Sequence, residues 1–518
     1  MTERSLSAAP RHDEHEVTSA MSEDDRERRA VRVPTRIPGL DTVMEGGLFR
    51  GGVYMVMGLP GAGKTILGNQ VCFEHVRAGG KAIYLTLLTE SHARLISSLR
   101  DMEFFEPSFL ADRLSYLSGY QALETEGLEG LMTLARGAVK DHQATLLVLD
   151  GLVTRTTNHT SDVALKKFIH ELQIFVELMG CTTLLLTGAR NGETHYAEQT
   201  MADGLLRLSA LRVGMRAVRE LEVLKHRGSP HLLGGHSFEI SNSGISVYPR
   251  TEASVGSVAL SRPPTSTIST GIAKLDEILG GGLMSSSSTL VLGAPGSGRT
   301  SLGLHFLDAG ARAGQRGLYF GFFEQPDRVR SKAQLLSLPF DDHLRKGLVE
   351  ILWRAPLEQL ADALSKSLLD TVEREGIGRV FIDGLAGMCE GILYPERVRS
   401  FVTALLNALQ AMGVTTLLAD ETEQLFGPYP DSSVRGIGSV VDNIIFLRYV
   451  ELRSQLRRLI SVMKVREGLY DSSLREFSIG PNGFLVASTF ESAEAILSGL
   501  ARPILQPTAA KPPRRKRS

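Results

Sequence analysis

The stretch of this 518-residue chain best equipped for chemistry is Gly58-Leu59-Pro60-Gly61-Ala62-Gly63-Lys64-Thr65. Gly58, Gly61 and Gly63, with the small Ala62 between, let backbone N–H groups close around phosphate oxygens. A helix opening at Thr65 and Ile66 adds the partial positive charge of its N-terminus. Lys64 would reach the outer phosphates of a nucleotide, and the Thr65 hydroxyl would ligate Mg²⁺. A glycine turn that matches by accident is the bland alternative. It loses to context: the apolar run Val53–Met57 precedes the loop, and a segment of helical character from Thr65 to about Arg77 follows it.

The motif recurs. Gly293-Ala294-Pro295-Gly296-Ser297-Gly298-Arg299-Thr300 supplies a second loop, with Ser301 behind it, and Arg299 stands 235 positions after Lys64. The lead-in Gly39-Leu40-Asp41 returns as Lys274-Leu275-Asp276 ahead of Gly280-Gly281-Gly282, and Asp41 and Asp276 are again 235 apart. A repeat this long is a duplicated domain rather than a solenoid unit. The chain therefore divides into a polar tail (1–33), a first domain (34–250), a linker rich in Ser, Pro and Thr (251–265), a second domain (266–488) and a terminal tail (489–518).

The elements that must hold these loops are strands and helices in alternation. Thr145-Leu146-Leu147-Val148-Leu149-Asp150 is a nearly continuous apolar run ending in a carboxylate, as expected of a central parallel strand buried on both faces. Arg379–Asp383 repeats it in the second copy. Runs at Lys81–Leu88, Thr182–Thr187, Gly317–Phe323 and Val414–Asp420 complete the strand set, with helices at Glu126–Lys140 and Val163–Met179 between. The fold class is α/β, each copy a mostly parallel sheet covered by helices. Ligands in such sheets sit at the carboxyl ends of strands, where the loops and the two aspartates fall. Asp150 and Asp383 are accordingly read as Mg²⁺-orienting carboxylates, since each follows its glycine loop by some 85 residues. A third block pairs Lys225-His226-Arg227-Gly228 with Lys464-Val465-Arg466-Glu467-Gly468. On an alternating strand Lys225 and Arg227, like Lys464 and Arg466, share a face, where they would meet triphosphate charge or simply form a solvated cationic edge.

Composition narrows the classes. Lys plus Arg (57) nearly balance Asp plus Glu (58), so the whole molecule lacks the basic surplus of a nucleic-acid binder. Cys72, Cys181 and Cys389 have no metal-ligand spacing and read as small core residues of a reduced protein. No apolar run spans a bilayer and no signal-peptide core occurs, which points to a cytoplasmic protein without a membrane partner. The basic end Lys511–Ser518 reads as a solvated tail.

These spaced motifs, each present twice and in order, resemble the KaiC family, a two-domain branch of the RecA/DnaB-like ATPases, over roughly residues 34 to 488. The resemblance implies tandem RecA-like P-loop NTPase domains stacked as two rings, a homo-hexamer, and ATP with Mg²⁺ bound between subunits. It implies that Lys225, Arg227 and His231 reach a neighbour's nucleotide. It also implies an ATPase first ring and a second ring with Ser/Thr autokinase and autophosphatase activity. Several residues depart from the family pattern. Where the family has paired glutamates, copy one reads Leu88-Thr89-Glu90 and copy two Phe323-Glu324, so any general-base step must use Glu90, Glu324 or another group. Arg299 replaces the loop lysine and exchanges a compact charge for a planar fork, which should alter nucleotide handling. Of the family's adjacent phosphosites only Ser439 remains, and a plain loop serine accounts for it equally well. The expected function is ATP hydrolysis in a signalling ring, with a protein partner in that pathway. A nucleotide-gated scaffold with little turnover and a recombinase-like DNA-dependent ATPase are the alternatives.

Overall fold

In the computed structural model, residues 31–88, 92–152, 160–188, 201–255, 266–355, 359–422, 432, 434, 436–452 and 455–488 are described. Glu90, most of the linker and the basic end lie outside them. The chain resolves into two compact units, with Ser246–Ser518 forming the bulk of the second.

The first sheet contains β1 (Val53–Gly58), β2 (Ala82–Thr86), β3 (Leu114–Ser118), β4 (Leu146–Leu152), β5 (Thr182–Gly188), β6 (Gly204–Val213), β7 (Arg216–His226), β8 (Gly235–Ser241) and β9 (Gly244–Tyr248). Their spatial order is β3-β2-β4-β5-β1-β6-β7-β8-β9. The second sheet contains β10 (Ser288–Gly293), β11 (Gly317–Gly321), β12 (Val349–Trp353), β13 (Arg379–Asp383), β14 (Thr415–Glu421), β15 (Asn443–Leu452), β16 (Gln455–Val465), β17 (Arg475–Gly480) and β18 (Gly483–Val486). Its order, β12-β11-β13-β14-β10-β15-β16-β17-β18, is the first with every number raised by nine. The duplication thus extends from motifs to topology.

In each copy the strands up to β6 or β15 pair in parallel, and the remainder turn back as antiparallel hairpins. The parallel strands are the apolar runs of the sequence: β2 and β11 are buried at every residue, as are Leu146–Asp150 of β4. Strands covered on both faces carry no alternation, which is why the runs look continuous. The antiparallel strands alternate instead, and their polar faces hid them among loop-like sequence. The helices α1 (Lys64–Arg77), α2 (Tyr120–His142), α3 (Thr160–Met179), α4 (Arg299–Arg312), α5 (Ala361–Glu375) and α6 (Val398–Ala411) cover the sheets. The helix expected from Glu126 begins earlier, at Tyr120, and kinks at Gly127, where φ is 65°. The start of the expected linker forms a helical turn, Thr251–Ser254, with Thr251 donating its N–H to Asp362 at 2.9 Å.

Each glycine-loop helix also clips the last hairpin of its own sheet. Gln70 on α1 donates its amide to Ile245 O (3.2 Å) and accepts Ile245 N–H (2.7 Å). At the matching position on α4, His305 accepts Phe484 N–H at 3.0 Å through Nε2.

Helix α4 lies so close to β13 that a Cβ on Gly303 would sit 2.2 Å from the Phe381 ring, itself fully buried. Gly303→Val should therefore lower unfolding free energy by about 3 kcal/mol, because an overpacked core outweighs the small gain in helix propensity. Gly137 on α2 meets no atom within 4 Å of its added Cβ. Gly137→Ala should instead stabilise by roughly 0.5–1 kcal/mol. Urea unfolding of the two variants checks both signs.

Candidate functional site

Strand β1 stops at Gly58 and α1 starts at Lys64, so five residues must reverse the chain. They do so through backbone only glycine adopts readily: φ is 81° at Gly61 and 103° at Gly63. Gly58 is required for a different reason, since a Cβ there would lie 2.6 Å from Leu208 O on the neighbouring strand. Ala62 is fully buried beneath the loop. Gly296 (73°) and Gly298 (110°) repeat the two left-handed turns in the second copy. There Gly293 is pressed against Leu447 O.

Strand β4 brings Asp150 to the mouth of this loop. Its Oδ2 accepts the Thr65 hydroxyl at 3.0 Å and the Tyr84 hydroxyl at 2.5 Å, and the residue is 4% exposed. The Thr65 hydroxyl and the Asp150 carboxylate thus meet at the mouth of the glycine loop. Hard oxygen donors of this kind suit Mg²⁺, which is commonly held by one or two carboxylates plus substrate phosphates. Among the described residues no cluster of three or more His, Cys, Asp or Glu is placed to hold a metal. The second copy reproduces the triangle: Tyr319 donates to Asp383 Oδ2 at 2.6 Å, and Thr300 hydrogen-bonds the same carboxyl. Burial raises the Asp383 carboxyl above its ordinary range, opposed by those two hydroxyls. Tyr84 and Tyr319 were missed from sequence. Their only signal is a hydroxyl inside an apolar strand at the same 235-residue offset.

The Lys64 ammonium donates to Gly58 O at 2.7 Å and Leu59 O at 3.0 Å, so it lies folded along the loop. Burial lowers its pKa, opposed by the Asp150 charge. Arg299 folds in the same way onto Gly293 O and, at 2.7 Å, Ala294 O. It also donates to Glu421 Oε2 at 3.1 Å. Glu324 is bound by Lys332 and shares with the second loop a cavity of about 950 Å³.

The Lys-x-Arg blocks stand apart from the glycine loops in the residues they contact. Strand β7 ends at His226, so Lys225 is its penultimate residue and Arg227 lies just beyond it; burial, then the Arg227 charge, lowers the Lys225 pKa. Arg227 is exposed and lies 3.9 Å from Asp203, and His231 is half-buried. In the second copy Lys464 donates to Gly438 O (3.1 Å) and Val441 O (2.6 Å), and Arg466 pairs with Asp442. Ser439 lies in that same short turn, exposed, with its hydroxyl donating to Gly436 O at 2.9 Å.

Two parallel sheets with switch-point glycine loops, each faced by a buried strand-end aspartate, define tandem RecA-like P-loop domains. The family model described as "ATPase: KaiC" matches residues 33–252 and again 268–490. The chain belongs to the KaiC family of ATPases. It is 27% identical to the circadian clock oscillator protein KaiC of Rippkaea orientalis, over 90% of this chain and 91% of that protein. The protein of the same name from Picosynechococcus is 26% identical over 90% and 92%, and KaiC 1 of Synechocystis 26% over 93% and 94%. No helix among the described residues is long and apolar enough to cross a membrane.

Between Lys225 and Arg227 sits His226, 5% exposed, its Nε2 3.3 Å from both the Tyr54 hydroxyl and Arg32 Nη1. Burial, then the Arg32 charge, pulls its pKa down to about 4. The unfolded chain therefore binds this proton near pH 6.5 while the folded chain refuses it until about pH 4. Stability should fall by up to about 3 kcal/mol as pH drops through that window. Thermal melts of wild type and His226→Gln from pH 7 to pH 4.5 should show the slope shrinking in the variant.

Proposed function

We propose that the first copy binds ATP with Mg²⁺ and hydrolyses it, and that neighbouring subunits of a ring, a hexamer on the family pattern, complete the site. The single observation carrying this reading is the Thr65–Asp150–Tyr84 triangle at the mouth of the glycine loop. When bound, Mg²⁺ would neutralise charge on the β and γ phosphates. Loop N–H groups and the α1 N-terminus hold the phosphates, and Lys64 swings from the loop carbonyls to their oxygens. Tyr84, whose hydroxyl proton burial and the Asp150 charge hold firmly, fixes the Asp150 carboxylate toward Thr65. Lys225 and Arg227 on the exposed end of β7, with His231 after them, would contact the nucleotide of an adjacent subunit. Glu90 is the acid we assign as general base in this copy.

The second copy plays the quieter part. Its Glu324 is already neutralised by Lys332, and the preceding position is Phe323, which cannot accept a proton. This favours a role in assembly and signalling over turnover there. The exposed Ser439 is the acceptor we assign should phosphoryl transfer to protein occur. Relatives named as circadian clock oscillator proteins support the role in signalling, for which we assign a protein partner.

Lys64→Ala and Asp150→Asn should each cut phosphate release by about 100-fold or more, because each removes a fixed charge aimed at the transferring group. Native mass measurement with and without ATP should show nucleotide-dependent assembly that Lys64→Ala loses. Wild-type turnover retained in Lys64→Ala would sink the proposal. Radiolabelled ATP separates the activities, since label retained on Ser439 means kinase and free phosphate alone means ATPase.

A further inference from the structure

The two phosphate seats differ at one strand tip. Strand β5 ends Thr187-Gly188 beside Gly58 of the first loop. Strand β14, in the same register beside Gly293, ends Asp420-Glu421. The first seat thus borders an uncharged tip without a side chain at its last position, and the second borders two carboxyl groups. Among the described residues lining the second cavity, the acids Glu324, Asp383, Asp420 and Glu421 face the cations Arg299, Lys332 and Arg458. Glu421 takes the Arg299 fork at 3.1 Å while the other arm of that fork rests on the loop carbonyls. Arg299 is only 17% exposed. Lys64 has no such acid at its strand tip and leaves its carbonyls at the cost of two hydrogen bonds.

The second loop is otherwise intact. Its two left-handed glycines are retained, and Ser297, 1% exposed and lining the cavity, has an Oγ without a hydrogen-bond partner. A buried hydroxyl in that state fits a seat meant to receive a polar ligand.

We infer that Glu421 gates the second phosphate seat, holding Arg299 down on the loop and, with Asp420, repelling a nucleoside triphosphate that the first seat accepts. This inference rests on the nucleotide reading of the glycine loops given above. A half-exposed ion pair alone is worth little. The larger effect is like-charge repulsion between a carboxylate and the several charged oxygens of a polyphosphate a few ångströms away, at a protein surface where the effective dielectric lies well below that of water. Glu421 is therefore a specificity-determining residue: it sets how many triphosphates each chain carries.

The test is nucleotide stoichiometry and affinity on the full chain, using a fluorescent ATP analogue with Mg²⁺, in wild type and in the Lys64→Ala background that silences the first seat. Wild type should bind one analogue per chain at concentrations that saturate the first seat. Glu421→Gly, which restores the first copy's residue, should add a second and tighten the second seat by about tenfold or more. Glu421→Gln, which keeps the volume and removes the charge, should move it in the same direction, and it carries the test should the glycine variant fold poorly. Unchanged second-seat affinity in both variants, with the first seat still saturating, would overturn the inference while leaving the nucleotide reading standing. Two equal sites in wild type would overturn it as well. Absence of binding at either seat in every protein overturns the nucleotide reading, and this inference with it.

Discussion

The structure depends on a steric constraint: a polypeptide leaving a buried strand must turn within five residues and enter a helix with its N–H groups bare. Glycine at φ 81° and 103° meets that demand, and a side chain at Gly58 would collide with the adjacent strand. The parallel sheet then has little choice about what faces the bare N–H groups. Every parallel strand runs toward the same edge, so Asp150, two residues before the end of β4, arrives opposite the loop and is held there by Thr65 and Tyr84. Phosphate seat and metal-orienting acid are two results of one chain reversal.

Duplication makes the chain its own control. Topology, glycine conformations and the tyrosine–aspartate bond survive in both copies, as expected of features that position the loop. What differs is charge. Lys64 becomes Arg299, Gly188 becomes Glu421, and the remaining acid Glu324 is taken up by Lys332. Packing has been kept while electrostatics have drifted. A copy under those pressures holds its shape for its neighbour while its chemistry changes.

Much of this was readable in the sequence for a physical reason. Buried parallel strands are continuous apolar runs, and glycine loops announce themselves by composition, so β1, β4, β11, β13 and both loops were placed from residues alone. Of the antiparallel hairpins beyond β6 and β15 only the Lys-x-Arg ends of β7 and β16 were read as strand, because alternating half-exposed strands look like loops when read locally. Tyr84 escaped for the opposite reason, being one hydroxyl in a strand whose other residues all signal core. Glu421 was invisible until register put it beside the loop, since only the pairing of β14 with β10 brings residues 122 positions apart into contact with Arg299. Lys464, read as meeting triphosphate charge or forming a solvated cationic edge, donates to the carbonyls of Gly438 and Val441.

The clip between each loop helix and its terminal hairpin carries a last consequence. Gln70 holds its hairpin with an amide that has no proton to gain at ordinary acidity. His305 does the same work with one ring nitrogen, kept neutral because burial lowers its pKa. Once that nitrogen takes a proton it can no longer accept from Phe484. Protonation of His305 would therefore unfasten the margin of the second sheet and leave that of the first fastened, an asymmetry that comes from a single exchanged side chain.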